Sequence, residues 1–316
     1  MKIRKEYSGM LCAIGASIGF GCGSTALKVI YRTFGEIPFQ DLSLLRSVFC
    51  LAAFLIFAVR ENPAQLRVNR KELGFFAFAG ICGLFVVQFF LLLALQMIPV
   101  GVCSFTQSSS TIMVCLCSVL IFHEKISRSK LTGIGCGLCG LALVVWQRVD
   151  TQIGEIFVLG VLCAFASGVG KTVYLLCGKS TAKNGRRSAM MTYGMLACTM
   201  MGIPFASSPA RVAGYFMDAK ACVFLLLYML FCSVLPYILT FRAIELLPAS
   251  TVGSLNVVEP VAGAVSAFLV LREPLSARQM LGAAFIMMSV FLIHHDVRRA
   301  AGSDNEKLKL EDGENV

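Results

Sequence analysis

Charge is what this sequence has least of. Asp, Glu, Lys and Arg make up 15% of its 316 residues, against about a quarter in an ordinary soluble chain. Hydrophobic residues make up 57%, and the mean hydropathy is +0.77. That shortage excludes a soluble domain with a well-filled core, and it divides the length into spans of about 20 residues rather than into two soluble domains. Other absences narrow the activity. There is no Gly-x-x-x-x-Gly-Lys-Ser/Thr phosphate loop and no soluble segment to carry one, so nucleotide hydrolysis is not expected. There is no His-Glu-x-x-His and no paired nucleophile and base, so neither an enzyme nor a metal or cofactor site is expected.

What is present is long apolar runs. Residues 8–27, 73–122, 188–210 and 221–241 contain no charged side chain. In hydrocarbon every backbone N–H and C=O needs an internal partner, which leaves helices or a closed barrel. A barrel strand alternates polar and apolar residues. Leu84-Phe85-Val86-Val87 and Phe89-Phe90-Leu91-Leu92-Leu93 do not alternate, so the spans are helices. They fall near 8–31, 41–60, 72–97, 99–122, 127–147, 155–178, 187–206, 219–246, 248–271 and 276–296. All fourteen cysteines lie inside these spans, where they serve as small, soft apolar residues. The basic start, Met1-Lys2-Ile3-Arg4-Lys5, leads into a run longer than a signal peptide's apolar core and reads as the first helix. Residues 298–316 are polar and are expected to form a disordered tail.

The net charge of +10 follows from loop placement, and a nucleic-acid surface is not needed to explain it. With a cytoplasmic N-terminus, the inner segments hold sixteen basic residues: Lys2, Arg4, Lys5, Arg60, Arg67, Arg70, Lys71, Lys125, Arg128, Lys130, Lys179, Lys183, Arg186, Arg187, Arg298 and Arg299. The outer loops hold six: Arg32, Arg148, Arg211, Lys220, Arg272 and Arg278. This bias puts both termini on the cytoplasmic side of a cell membrane.

The chain repeats itself. At an offset of 149, Ile98-Pro99-Val100 meets Leu247-Pro248-Ala249, Glu124 meets Glu273, Ser127 meets Ser276 and Gly133 meets Gly282. The repeats are 1–150 and 151–297, five helices each. An odd count inverts the second half relative to the first, as in secondary transporters whose substrate site lies between the halves. The expected fold is therefore an all-α integral membrane protein, with ten helices as two inverted five-helix repeats around a central cavity.

Several segments resemble the EamA-like family of the drug/metabolite transporter superfamily. They are Ala243-Ile-Glu-Leu-Leu-Pro248-Ala-Ser, Val258-Glu259-Pro260-Val261, Leu271-Arg-Glu273-Pro274-Leu275 and Gly282-Ala-Ala-Phe-Ile-Met. The first half resembles the same module through Phe20-Gly21 to Lys28, Leu45-Arg46 and His123-Glu124-Lys125. It departs at Phe20, where tryptophan is common, and at Lys125, where proline often follows the glutamate. The resemblance implies alternating access and export or exchange of amino acids, related metabolites or amphipathic drugs. A nucleotide-sugar or sugar-phosphate antiporter is the alternative within the superfamily. An intramembrane enzyme or sensor is the alternative outside it, though a sensor would carry a larger output domain than the residues after Arg299 provide.

Ionisable groups inside spans cost about 2.5–3.5 kcal/mol each on insertion scales and mark cavities or partners. Arg46 can hold a carboxylate with both arms of its fork, or it has a structural carboxylate partner. Lys171 and Glu259 are candidates in helices six and nine; Pro260 frees a backbone carbonyl beside Glu259, which suits proton or cation coupling. A plain interhelical bond, to Lys171 for example, is the other reading of Glu259. Arg242 and Glu245 read as a pair within one helix, and Lys28 either snorkels to the interface or faces the cavity or a partner. Gln107 pairs with Asn256 across the repeat. With Ser108 and Thr111 it forms a polar stripe that lines a pathway or bonds its own helix. Gln88, Tyr174 and Tyr237 complete the candidate lining. Gly15, Gly19 and Gly23 are four apart, as are Gly133 and Gly137; this spacing suits close packing in the bundle, with homodimerisation as the second reading. The partners expected are the lipid bilayer and a small-molecule substrate.

Overall fold

A computed structural model describes residues 2–34, 37–61, 63–110, 112–113, 117, 128–145, 152–182, 186–207, 214–215, 217–246, 255–256, 258–273, 276–278, 280–289 and 291–292. The described residues are helical almost throughout, in the order α1 (Lys2–Phe34), α2 (Phe39–Glu61), α3 (Arg70–Met97), α4 (Val100–Gln107), α5 (Arg128–Val145), α6 (Gln152–Ala182), α7 (Arg187–Gly202), α8 (Ala219–Met229 continuing to Leu235–Leu246), α9 (Val258–Leu271) and α10 (Met280–Ser289). Five stretches are long and apolar enough to cross a membrane: Tyr7–Phe34, Phe39–Arg60, Arg70–Met97, Gly154–Gly178 and Ala219–Thr240. The expected tail, 298–316, lies outside the described residues.

Local chemistry sets the helix ends. Asn69 caps α3 by accepting from the Glu72 amide at 2.8 Å, while Glu72 accepts from the Asn69 amide at 3.0 Å; this reciprocal box satisfies two donors that the first turn leaves orphaned. Ile98 is extended before Pro99, as a residue preceding proline prefers, so α3 stops there and α4 begins at Val100. The expected seventh helix reaches 206. The observed α7 ends at Gly202 and tightens into a 3-10 turn, Ile203–Phe205, because Pro204 cannot continue the backbone ladder. At the other extreme, α1 begins six residues earlier than the apolar run, since its basic first turns also favour helix.

Packing follows a reciprocal pattern. α1 lies against α8 and α9, while α6 lies against α3 and α4; α2 packs on α7, and α4 on α9. Glycine permits the closest of these approaches. A methyl group at Gly21 would come within 2.8 Å of the Gly263 backbone nitrogen, and one at Gly170 within 2.9 Å of the Gly83 carbonyl. α3 widens into a π segment, Ala79–Phe85, at the Gly170 crossing, and α8 does so at Leu230–Val234, where it faces Gly23 of α1. The largest cluster of buried side chains runs through Leu27, Ile30, Leu42, Leu92, Leu95, Val100, Leu225 and Met229, near the C-terminal end of α1. Leu11, Leu55, Ile56, Leu162, Phe231, Phe268 and Leu269 point outward, an apolar exterior that suits lipid.

At that same end, Glu273 accepts from Lys28 Nζ at 3.1 Å, Arg32 Nη2 at 3.2 Å and the Val100 amide at 3.1 Å. Lys28 is therefore an ion-pair partner rather than a snorkelling side chain. Its Nζ reaches Glu273 because Arg272, which takes a left-handed backbone (φ 53°), turns the chain back over α1. Asp41, fully buried in the first turn of α2, accepts from the Ser207 amide at 2.6 Å and the Tyr215 hydroxyl at 3.1 Å.

Candidate transport cavity

An empty volume of about 860 Å3, part of it open to solvent, lies between α1, α2, α3, α4, α6, α8 and α9. Of the sequence-predicted site residues, Arg46, Gln107, Lys171, Tyr174, Tyr237, Asn256 and Glu259 line it. They come from five helices, α2, α4, α6, α8 and α9, with Asn256 just ahead of α9.

Glu259 sits in the first turn of α9, and its Oε2 accepts from Lys171 Nζ on α6 at 2.9 Å. The two side chains are 13% and 22% exposed respectively, so the pair faces the cavity without being bathed in solvent. Each charge offsets much of the cost of bringing the other out of water. Gln107 Nε2 donates to Ser167 Oγ at 2.8 Å, and Ser167 Oγ donates to the Val87 carbonyl at 3.0 Å. Across the repeat offset, Asn256 Oδ1 accepts from Ser17 Oγ at 3.3 Å. Each amide is thus held by a serine of a neighbouring helix.

Arg46 is different. It is 6% exposed, in the second turn of α2. Its Nε is buried with no partner, and no described side chain forms an ion pair with its guanidinium. Its electrostatic neighbours are the neutral phenols of Tyr228 and Tyr237 and the thiols of Cys50 and Cys232. Tyr237 interacts electrostatically with Glu259 as well as with Arg46. The Tyr237 ring packs edge-on against Phe20, with centroids 5.0 Å apart, and against Phe54 at 5.8 Å. Tyr174 donates its hydroxyl to Met191 Sδ at 3.3 Å.

Two predicted residues are placed elsewhere. Gln88 is fully buried on α3 facing α7; its amide nitrogen lies 3.7 Å from Met195 Sδ, and its carbonyl has no partner. Its side chain points away from the cavity, toward Met195 of α7. Ser108 donates to the Ser104 carbonyl at 2.9 Å, bonding its own helix. Thr111 lies outside the described residues, as do His294, His295 and the Glu245 side chain. Sequence reasoning passed over Tyr228, Thr240, Ser24 and Cys232, which also line the cavity. The signal available for Tyr228 was a hydroxyl-bearing ring in an otherwise apolar run; Ser24, one residue past Gly23, had the small-residue spacing beside it.

The sequence profile of the EamA-like transporter family matches residues 7–146 and again 158–294. The uncharacterized transporter YetK of Bacillus subtilis (strain 168) is 23% identical over 251 residues, which is 79% of this chain and 75% of that protein. The threonine/homoserine exporter RhtA of Escherichia coli (strain K12) is 23% identical over 266 residues, 84% of each chain. A solved crystal structure superposes with a TM-score of 0.63 at 17% identity, covering 93% of this chain and 99% of the other; it bears on the fold alone. Two matches of one profile account for nearly all the described helices, and on that ground the chain belongs to the EamA-like transporter family.

Proposed function

We propose that this protein is a secondary transporter that exports or exchanges a small metabolite by alternating access, and that the cavity holding Arg46 and the Lys171–Glu259 pair is its substrate site. Membership in a transporter family makes it a membrane protein that transports rather than catalyses. The finer reading rests on one observation: charged and amide side chains from both halves of the chain converge on an empty volume inside an otherwise apolar bundle. In a membrane such groups are costly unless they serve a pathway or a partner.

The arrangement expected is ten spans in two inverted halves. Two matches of one family profile, the reciprocal packing of α1 on α8 and α6 on α3, and paired π segments support it. Inverted halves supply two equivalent packings, and rocking between them exposes the cavity to each side in turn. The basic bias of the loops supports cytoplasmic termini in a cell membrane. The Glu273 cluster then closes the outer end by joining α1, α4 and the end of α9. Glu259 is the candidate coupling group: a proton or cation on its carboxylate would release Lys171, and the following Pro260 lets α9 bend there. The glycine faces described above are used within the bundle, which favours internal packing over dimerisation for those residues.

The relatives named for threonine, homoserine and amino-acid metabolites direct the first screen. Purified protein in liposomes should exchange labelled metabolites from an amino-acid and organic-acid panel without ATP. Flux that appears only when ATP is supplied would overturn the secondary-transport reading.

A further inference from the structure

The charges around the cavity do not balance. Its described ionisable lining, apart from neutral phenols and a thiol, is Arg46, Lys171 and Glu259. Glu259 is engaged by Lys171 at 2.9 Å, so that pair is close to neutral. Arg46 is left with its Nε unpartnered and only neutral phenols and thiols around it. A guanidinium fork in a low-dielectric site binds a planar oxyanion through two parallel hydrogen bonds. The rest of the wall is apolar or aromatic, with Phe20, Leu91, Leu95, Tyr228 and Tyr237 prominent.

Resting on the transporter reading above, we propose that the cargo is an amphipathic organic anion of one net negative charge, its carboxylate or equivalent oxyanion docked on Arg46 and its apolar body laid along Phe20, Leu91, Leu95 and Tyr237. A zwitterion fits less well. Its ammonium would have to displace Lys171 from Glu259, and the occupied cavity would keep a net positive charge. A cation would face the unpaired guanidinium with no free carboxylate. A sugar phosphate would bring the negative charge but would leave its hydroxyls against leucine and phenylalanine, and hydroxyls without hydrogen-bond partners in an apolar site cost binding.

The test uses the purified full-length protein and four probes at near-neutral pH: 3-phenylpropionate (anion), phenylalanine (zwitterion), 2-phenylethylamine (cation) and glucose 6-phosphate (polar anion). Binding is read by calorimetry. The first three share a ring and differ mainly in charge. The expected order places 3-phenylpropionate at least about ten-fold tighter than each of the others. Arg46→Gln should erase that preference. Arg46→Lys should keep it at lower affinity, since the charge remains and the fork is lost. Glu259→Gln should tighten 3-phenylpropionate, because it frees the Lys171 ammonium. The proposal is overturned if phenylalanine or the amine binds as tightly as the acid, if glucose 6-phosphate binds best, if none of the four binds, or if the preference for the acid survives in a folded Arg46→Gln protein. Should that variant fail to fold, the Lys171-releasing variant still decides: unchanged or weaker anion binding in Glu259→Gln removes the charge argument. Metabolite flux in liposomes, measured in parallel, keeps the two readings apart. Flux with the wrong charge order sinks this inference alone, and the right order without flux sinks the transporter reading alone.

Discussion

Two carboxylates of this bundle sit in opposite circumstances. Glu273, at the C-terminal end of α1, receives hydrogen bonds on both oxygens from Lys28, Arg32 and the Val100 amide. Glu259, in the cavity, has one ionic partner, Lys171. Arg46, which lines the same cavity, has none among the described residues. A group held from three directions fixes a structure, because moving it breaks several bonds together. A group held from one direction, or from none, can exchange its partner for a ligand. Partner saturation thus separates the fastening of the bundle from its site.

The contrast can be broken most severely at its saturated end. Glu273→Ala leaves Lys28 and the Val100 amide without their acceptor. Removing one member of a mostly buried ion pair costs about 3–5 kcal/mol, so the variant should show a large drop in thermal unfolding temperature by fluorescence. A drop no larger than that of a surface control would place Glu273 with the exchangeable groups.

A second pair of residues tests whether the helix crossings are as tight as the site requires. A methyl at Gly80 would run into the Gly194 backbone, whereas a methyl at Gly194 meets nothing closer than 3.5 Å. Gly80→Ala should cost about 1–3 kcal/mol through overpacking. Gly194→Ala should be neutral or gain up to about 1 kcal/mol from helix propensity. Equal effects in chemical denaturation would show that the crossing relaxes freely.

The unsaturated end should behave in the reverse way. Arg46→Gln removes a buried charge that lacks a described partner, so stability should hold or rise. Flux in liposomes should fall at least about ten-fold, equivalent to about 1.4 kcal/mol of lost interaction. A destabilised variant with full flux would make Arg46 a structural residue. The smallest effect is expected at Ser108, whose hydroxyl bonds its own helix. Ser108→Ala should change stability by less than about 0.5 kcal/mol and leave flux unchanged; a clear loss of flux would return that side chain to the pathway.

Much of this was legible in the sequence because a bilayer leaves few options. Charge-free runs have to be helices, and an ionisable residue within one has to face something. That reasoning singled out Arg46, Lys171 and Glu259, which line one cavity, and it named Lys171 as one partner for Glu259. It failed where rotation about a helix axis decides. Gln88 and the cavity-lining Val87 are adjacent in sequence yet point about 100° apart on a helix, and the sequence does not say which direction is inward. The choice for Lys28 stayed open because its partner Glu273 lies 245 positions away, in the motif that carried the family resemblance. Tyr228 was missed because an isolated phenol in an apolar run has no periodic companion.

The central claim is that substrate passes through the cavity. Ser24 lines it from α1 and is small, so Ser24→Trp fills the space while leaving Arg46, Lys171 and Glu259 in place. Exchange of a labelled metabolite by the wild-type protein, identified from the panel above, is compared in ATP-free liposomes with exchange by this variant at matched, correctly folded protein density. Saturable flux in the wild type and flux at the protein-free level in the variant is the predicted result. Equal flux in the two proteins would contradict the account.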